Sequence, residues 1–287
     1  MKLRVNADDF GATKSVTDDI LDCIDAGAVN SVSIMANMPA FDYAVAEALQ
    51  RPQLNIAVHL NITRGQPLSP PEDIALLVTP QGNFKYDFQG LMLAYLFAGK
   101  QQRAQMKLQL YTEFKAQLEK VKQYTAVWER KPGLDTERNI HHLPFVFEVV
   151  LKLAKEYKLN NIRLCTERGG GSFAVGGRVK WMVLTGLVKF FSFGDILQKE
   201  GIRYPAKGYF VLHKLPEALA AAKGLGFLQP GVEEEYVEIG VHPGCAAEAE
   251  LTPFGYDPAY CKYLIACEHK SEKALLLQWA ALNQKRS

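Results

Sequence analysis

The sequence predicts an α/β chain folded as one barrel-like domain of seven parallel strands. Three observations predict it. Short β-rich runs alternate with helical stretches along the 287 residues, the pattern of successive parallel β/α units. No internal repeat and no Gly-, Ser- or Pro-rich linker divides the chain, so residues 1–287 read as a single domain; single barrels of about 250 residues are common. Residue types that can do chemistry fall where strands end, as they do at the C-terminal rim of a β/α barrel.

The elements follow in order. "KLRVN" (2–6) is the first strand, and Asp8 and Asp9 come directly after it, ahead of a helix over 14–26. "NSVSIMA" (30–36) is the second strand, trailed by Asn37 and a helix over 40–50. "LNIAVHL" (54–60) is the third, with His59 at its end, and a long helical pattern covers 87–124. A weaker strand at 133–136 leads to Glu137, Asn139 and His141. Pro144 suits the first turn of a helix over 144–157, because its missing N–H would be unpaired there in any case. "NNIRLC" (160–165) precedes Glu167 and Arg168, and a helix covers 178–199. "GYFVL" (208–212) is followed by a helix over 215–224 that Pro216 opens. "YVEIGVH" (236–242) delivers His242, and residues 246–287 read as a C-terminal helical extension, helical over 258–283.

Bulk composition narrows the function classes. Hydrophobic residues make up 48% and charged residues 22%, ordinary for a globular protein with a substantial core. Net charge is +2 and the pI is near 8.2, which argues against a nucleic-acid partner, since a basic face would be needed. The N-terminus lacks the apolar stretch of a signal peptide. "LMLAYLFAG" (91–99) and "WMVLTGLVKFFSFG" (181–194) fall short of the roughly 20 apolar residues of a membrane span. Five cysteines form no CxxC pair, which suits a reducing compartment. A cytoplasmic protein is expected. Asp9-Phe10-Gly11 spells a kinase magnesium motif, but the required upstream phosphate loop and lysine have no room in the seven residues before Asp8.

The strand-end residues suit metal chemistry. A catalytic divalent ion takes about three protein ligands from histidine and carboxylate and keeps a position open. Adjacent Asp8 and Asp9 point different ways, so one can ligate while the other takes a proton from water. His59 and His242 supply imidazoles from other strand ends. Each residue also has a plainer reading. The Asp-Asp pair before Gly11 equally suits a turn with a helix cap, His59 a hydrogen-bonded histidine near the core, and "HPG" (242–244) a turn. "GGGSFAVGG" (169–177) breaks the G-x-G-x-x-G pattern at Ala174 and reads as a loop needing positive φ, or as one that covers a substrate.

"VNADDFG" before a helix, "VHLNIT", "LDTERNIHHLP" and "EIGVHPG", in this order, resemble the successive motifs of the YdjC-like carbohydrate deacetylases, the family of the diacetylchitobiose deacetylase. The similarity is strongest over 2–245. The resemblance implies a barrel-like fold related to polysaccharide-deacetylase-type barrels, a divalent metal (Mg²⁺ or Zn²⁺), homodimers, and removal of an N-acetyl group from a small amino sugar. It also implies Asp8 as general base, Asp9 and His59 as metal ligands, and His242 as the acid that protonates the leaving group.

One motif departs from the family pattern D-S-H-x-H-x-H-L-L-P. Here Glu137 takes the place of the second histidine ligand, Asn139 replaces the middle histidine, His141 stays in register and His142 is added. Three outcomes compete. Glu137 ligates, giving an oxygen-rich site that favours Mg²⁺ or Mn²⁺ over Zn²⁺; or the loop shifts and brings His141 or His142 to the metal; or the metal is lost and the barrel binds a glycan or glycolipid without cleaving it. Arg138, His141 and Arg168 are candidate substrate contacts, and Arg138 could equally pair with Glu137. Trp181, Leu184, Leu187, Val188 and Phe191 form an apolar stripe at helical spacing, for core or dimer packing or as the wall of a site for a lipid-linked sugar with weak peripheral membrane contact.

Overall fold

Six strands, β1 (Lys2–Phe10), β2 (Ser31–Ile34), β3 (Asn55–Leu60), β4 (Gly133–Thr136), β5 (Lys207–Tyr209) and β6 (Tyr236–Val241), form one parallel sheet in the order β4-β3-β2-β1-β6-β5. The computed structural model describes residues 1–165, 175–209, 215–255 and 257–284, and statements of absence refer to these. The expected strand at 160–165 is reduced to two isolated bridges, Leu134↔Ile162 and Asn161↔Arg203. Leu134 N–H donates to the Asn161 carbonyl and Ile162 N–H to the Arg203 carbonyl, at 2.9 Å each. These bonds carry the pairing from β4 round towards the chain before β5, so the sheet curls. The neighbouring stretch is interrupted by Gly201 at φ +67° and by Pro205, which has no N–H to offer a ladder. The sequence therefore suggests seven strands where the described residues form six.

Helices cover the sheet: α1 (Lys14–Asp25), α2 (Phe41–Leu49), α3 (Phe88–Phe97), α4 (Lys100–Lys122), α5 (Thr125–Trp128), α6 (Pro144–Glu156), α7 (Val175–Phe190), α8 (Phe193–Lys199), α9 (Leu215–Ala221), α10 (Pro258–Leu264) and α11 (Cys267–Gln284). Three expected helices are each divided in two. The first divides at extended Ala98 before Gly99, the second at left-handed Ser192, and the third between α10 and α11 after Ile265. No described helix is long and apolar enough to cross a membrane.

α1 shows how local sequence places the rim. The Thr13 hydroxyl accepts from Val16 N–H at 3.2 Å, which caps a donor the helix leaves unpaired. Val16, Ile20 and Ile24 recur every four residues and are buried, the face turned to β1. Gly244 sits against the start of this helix. A Cβ there would lie 2.5 Å from Val16 Cγ1 and 2.7 Å from Val16 O, so only glycine lets the 242–244 turn come this close. In the apolar stripe, Leu184 and Val188 are buried and Leu187 packs on the core, while Phe191 is 41% exposed; the Trp181 side chain lies outside the described set.

Candidate active site

Asp8 and Asp9 reach the same pocket because β1 bulges beneath them. Between Ala7 and Phe10 of β1 lie two residues, Asp8 and Asp9, where β2 has one, Ser33, between Val32 and Ile34, and Asp9 adopts φ +64°. In an even strand neighbouring side chains would face opposite sides; an inserted residue re-aims one of them. Both carboxylates are buried.

Asp8 is held by Arg163, from the stretch after β4. Arg163 Nη1 donates to Asp8 Oδ2 and Nη2 to Asp8 Oδ1, both at 2.8 Å. The same guanidinium reaches Asp135 Oδ2 at 2.9 Å and Glu238 Oε1 at 2.7 Å. Burial alone would raise the Asp8 carboxyl, but the Arg163 charge, with His59 and His242, holds it well below the usual carboxylate range. Asn6 Nδ2 adds a bond to Asp8 Oδ1 at 2.8 Å. Oδ1 thus has both lone pairs committed, and Oδ2 keeps one.

His59, near the end of β3, pairs in register with Asp135 of β4. Its Nδ1–H donates to Asp135 Oδ1 at 2.6 Å, which turns Nε2 towards Glu137 Oε2 at 3.4 Å. Ser33 Oγ donates to Asp135 Oδ2 at 2.5 Å, so Asp135 is a fixed positioning group. Burial disfavours the imidazolium, yet Asp135, Glu137 and Asp8 outweigh it and raise His59 well above its ordinary value. Asp9 is pushed up to about 6, first by burial and then by the Glu137 charge. Tyr263 OH donates to Asp9 Oδ2 at 2.7 Å, whereas Asp9 Oδ1 is buried without any hydrogen-bond partner.

Two overlapping groups have ligand atoms within 4.8 Å of one another: Asp8, His59 and Asp135, and Asp9, His59 and Glu137. They differ in what their oxygens already hold. In the first, Arg163, Ser33, Asn6 and His59 occupy the carboxylates, and a metal would have to displace a guanidinium of its own sign. In the second, Asp9 Oδ1 has no partner and the carboxylate of Glu137 is met by His59 Nε2–H at a long 3.4 Å, a proton that a divalent ion would replace. Acceptors brought together this way repel unless a proton or a cation lies among them. The second group therefore fits a divalent ion better.

His242 stands across from this group at the end of β6. Its Nε2 lies 3.7 Å from Asp8 Oδ2, and its Nδ1 is buried with no hydrogen-bond partner, 4.0 Å from Glu272 Oε2. Burial lowers its pKa, but Asp8, Glu272, Asp9 and Glu137 together raise it above the ordinary value. The 242–244 turn is pinned from α11. His242 N–H donates to Glu272 Oε2 at 2.6 Å, and His269 Nδ1–H donates to the His242 carbonyl at 2.6 Å. The stretch read as a C-terminal extension thus contributes Tyr263, His269 and Glu272 to the rim.

The remaining sequence candidates are placed differently. His141 Nε2–H donates to the Arg163 carbonyl at 2.7 Å, and its Nδ1 pairs with the Thr136 hydroxyl at 2.7 Å; burial pushes its pKa well down. Cys165 N–H donates to His142 Nε2 at 3.1 Å. Both histidines pin the turn at 137–142 to the stretch carrying Arg163, and neither belongs to the Asp9 group. That turn is tight, with Arg138 and Asn139 in left-handed conformations. Arg138 faces outward between Asp87, 3.7 Å away, and Glu137, 3.8 Å away. A second cation, which no sequence motif marks, stands on the other side: Arg64 Nε lies 3.7 Å from Glu137 Oε1, and Arg64 is ion-paired to Asp257. Arg168 and Glu167 lie outside the described residues, as does most of the 169–177 loop.

A family model described as "YdjC-like protein" matches residues 2–281. The chain belongs to the YdjC-like family. Among relatives, a carbohydrate deacetylase of Brevibacillus brevis is 27% identical over 256 residues, 89% of this chain and 86% of that protein. One from Clostridium beijerinckii is 34% identical over 160 residues, 55% of this chain and 58% of its own. A crystal structure from Enterococcus faecalis, described as a proposed cellobiose-phosphate cleavage protein, superposes with a TM-score of 0.63 at 22% identity, covering 99% of this chain and 94% of that one. At that identity the likeness speaks for the YdjC-like fold alone.

Proposed function

We propose that this YdjC-like protein is a metal-dependent amide hydrolase that removes the N-acetyl group from a small or lipid-linked amino sugar. The observation that carries the proposal is the buried convergence of Asp9, His59 and Glu137 beside a carboxylate that Arg163 keeps ionised. The named activity of the relatives supports the reading. Asp9 Oδ1, His59 Nε2 and Glu137 would hold the ion, and two carboxylates with one imidazole favour Mg²⁺, with Mn²⁺ and Zn²⁺ as substitutes. A bound divalent ion would polarise the acetyl carbonyl and make water acidic enough to attack it.

The chain's own groups handle the protons. Asp8 Oδ2, the oxygen with a free lone pair, takes the proton of the attacking water. Asp8 does so as a carboxylate at every physiological pH, because Arg163 holds it charged. His242 Nε2, kept protonated by the surrounding acids, gives its proton to the departing amine. Tyr263, fixed on Asp9 Oδ2, and Asp135, fixed on His59 Nδ1, orient the two groups that would meet the metal.

A second reading, a glycan- or glycolipid-binding protein without hydrolytic activity, is favoured by one feature. Glu137 has two guanidiniums, Arg64 and Arg138, within 3.8 Å, and these offset the charge a cation would use. Acetate release separates the two readings. Purified protein supplied with Mg²⁺, Mn²⁺ or Zn²⁺ is expected to free acetate from N-acetylglucosamine oligosaccharides, with Asp8→Asn and His242→Gln each lowering kcat by about 10²–10⁴-fold. Absence of acetate release with all three metals, together with retained sugar binding, would establish the binding protein instead.

A further inference from the structure

We propose that a second cavity, at the end of the barrel opposite the rim, is a binding site for a small phosphate-type oxyanion. It has a volume of about 290 Å³ and lies among the first residues of β1, β3 and β4, where Arg4, Asn55 and Gly133 line it. Arg130, Lys131 and Arg203 add three more cationic side chains. The acids on its wall are Glu129 and Glu233, and Glu233 Oε1 already accepts from Asn160 Nδ2 at 3.0 Å.

The cations here are poorly compensated. Arg130 Nη1 donates to the carbonyls of Ala48, Arg51 and Leu54, and Arg203 Nη1 to that of Val232, all neutral groups. Burial, with no carboxylate set against it, pushes the Arg130 guanidinium below its usual pKa. Arg203 Nε is buried without a partner. Arg4 is 8% exposed, and its Nε also has no partner. Its Nη1 serves Asn161 Oδ1 and Tyr236 OH and lies 3.6 Å from Glu238 Oε2, so Arg4 is partly compensated, whereas the bonds of Arg130 and Arg203 go to carbonyls. Unmatched buried guanidinium donors are costly, and planar N–H forks matched to tetrahedral oxyanions are how proteins bind phosphate. Asn160 and Asn161 each have a second amide hydrogen beside the one given to Glu233 or Tyr236, whereas Asn55 Nδ2 is committed to the Asn30 and Leu228 carbonyls. The inference does not depend on the deacetylase reading, because none of these groups touches the Asp9 cluster.

Isothermal titration of inorganic phosphate into the purified protein at low ionic strength tests it. A saturable isotherm is expected, weakened at least tenfold by Arg203→Gln combined with Lys131→Gln, and unchanged by Arg138→Gln at the rim. Lys131→Glu alone, at an exposed position, is expected to weaken binding as well. The proposal is overturned if phosphate gives no more heat than chloride at equal ionic strength. It is also overturned if every variant at this end binds like the parent, or if Arg138→Gln is the change that abolishes binding.

Discussion

Replacing Arg163 by methionine is expected to lower the thermal midpoint by about 6–20 °C. The guanidinium is buried among Asp8, Asp135 and Glu238, with contacts of 2.7–2.9 Å to each. Removing one member of a buried ion pair costs about 3–5 kcal/mol, because the partners stay buried and unpaired. For a chain of this size each kcal/mol moves the midpoint by roughly 2–4 °C. The three acids would then recover neutrality by taking up protons, so the loss should be smaller in mildly acidic buffer. Asp8 would cease to be a dependable carboxylate, and hydrolysis should fail even in molecules that remain folded. Arg163→Lys, which keeps one charge but not the two-pronged grip on Asp8, should fall between. Calorimetric melts of the two variants at pH 5.5 and 7.5 check this. A methionine variant that melts within 2 °C of the parent would show that the acids do not depend on Arg163.

Glu137→Ala and Glu137→His should part company in metal binding. If Glu137 contributes a ligand oxygen, alanine should weaken Mn²⁺ affinity by more than the roughly 10–100-fold that loss of an outer-shell partner costs. Histidine, which can offer a nitrogen from the same position, should stay within about tenfold of the parent. The metal-free proteins should behave differently. Glu137 helps hold Asp9 up at about 6 but is itself kept ionised, against its burial, by His59 and Arg64, so alanine strips a partner from two buried cations and should lower the apo-protein's melting midpoint. Mn²⁺ titration followed by electron paramagnetic resonance, paired with melts in chelator, reads both effects. Equal affinities for parent, alanine and histidine proteins would remove Glu137 from the ligand set.

Much of the rim was legible because strand ends carry their own signal. Asp8, Asp9, His59, Glu137 and His242 each follow or end a recognisable strand, and the curled sheet brings those ends together. Arg163 left a signal that strand reading passes over. A charged residue inside "NNIRLC" has no reason to be there unless an acid faces it across the core, and Glu238 inside "YVEIGVH" is that kind of partner. Arg4 in "KLRV" is a third case, leading to the opposite end of the barrel. Tyr263, His269 and Glu272 were not legible, since helical periodicity in α10 and α11 says which face is buried but not what it meets. Arg64 lies in a loop with no pattern at all. The strand count also depended on tertiary context. Residues 160–165 have a strand's composition, yet the neighbour they would pair with is broken by Gly201 and Pro205. The bulge in β1 was equally hidden: two adjacent acids do not reveal that one of them takes φ +64°.

The proposed hydrolysis requires a metal at the rim, and anomalous scattering from crystals grown with Mn²⁺ locates it directly. The prediction is one strong peak at the rim, bounded by Asp9 Oδ1, His59 Nε2 and Glu137, with the Arg163–Asp8 pair intact beside it. A peak between Asp8, His59 and Asp135 with Arg163 displaced, or no peak at the rim in Mn²⁺-saturated crystals, would contradict it.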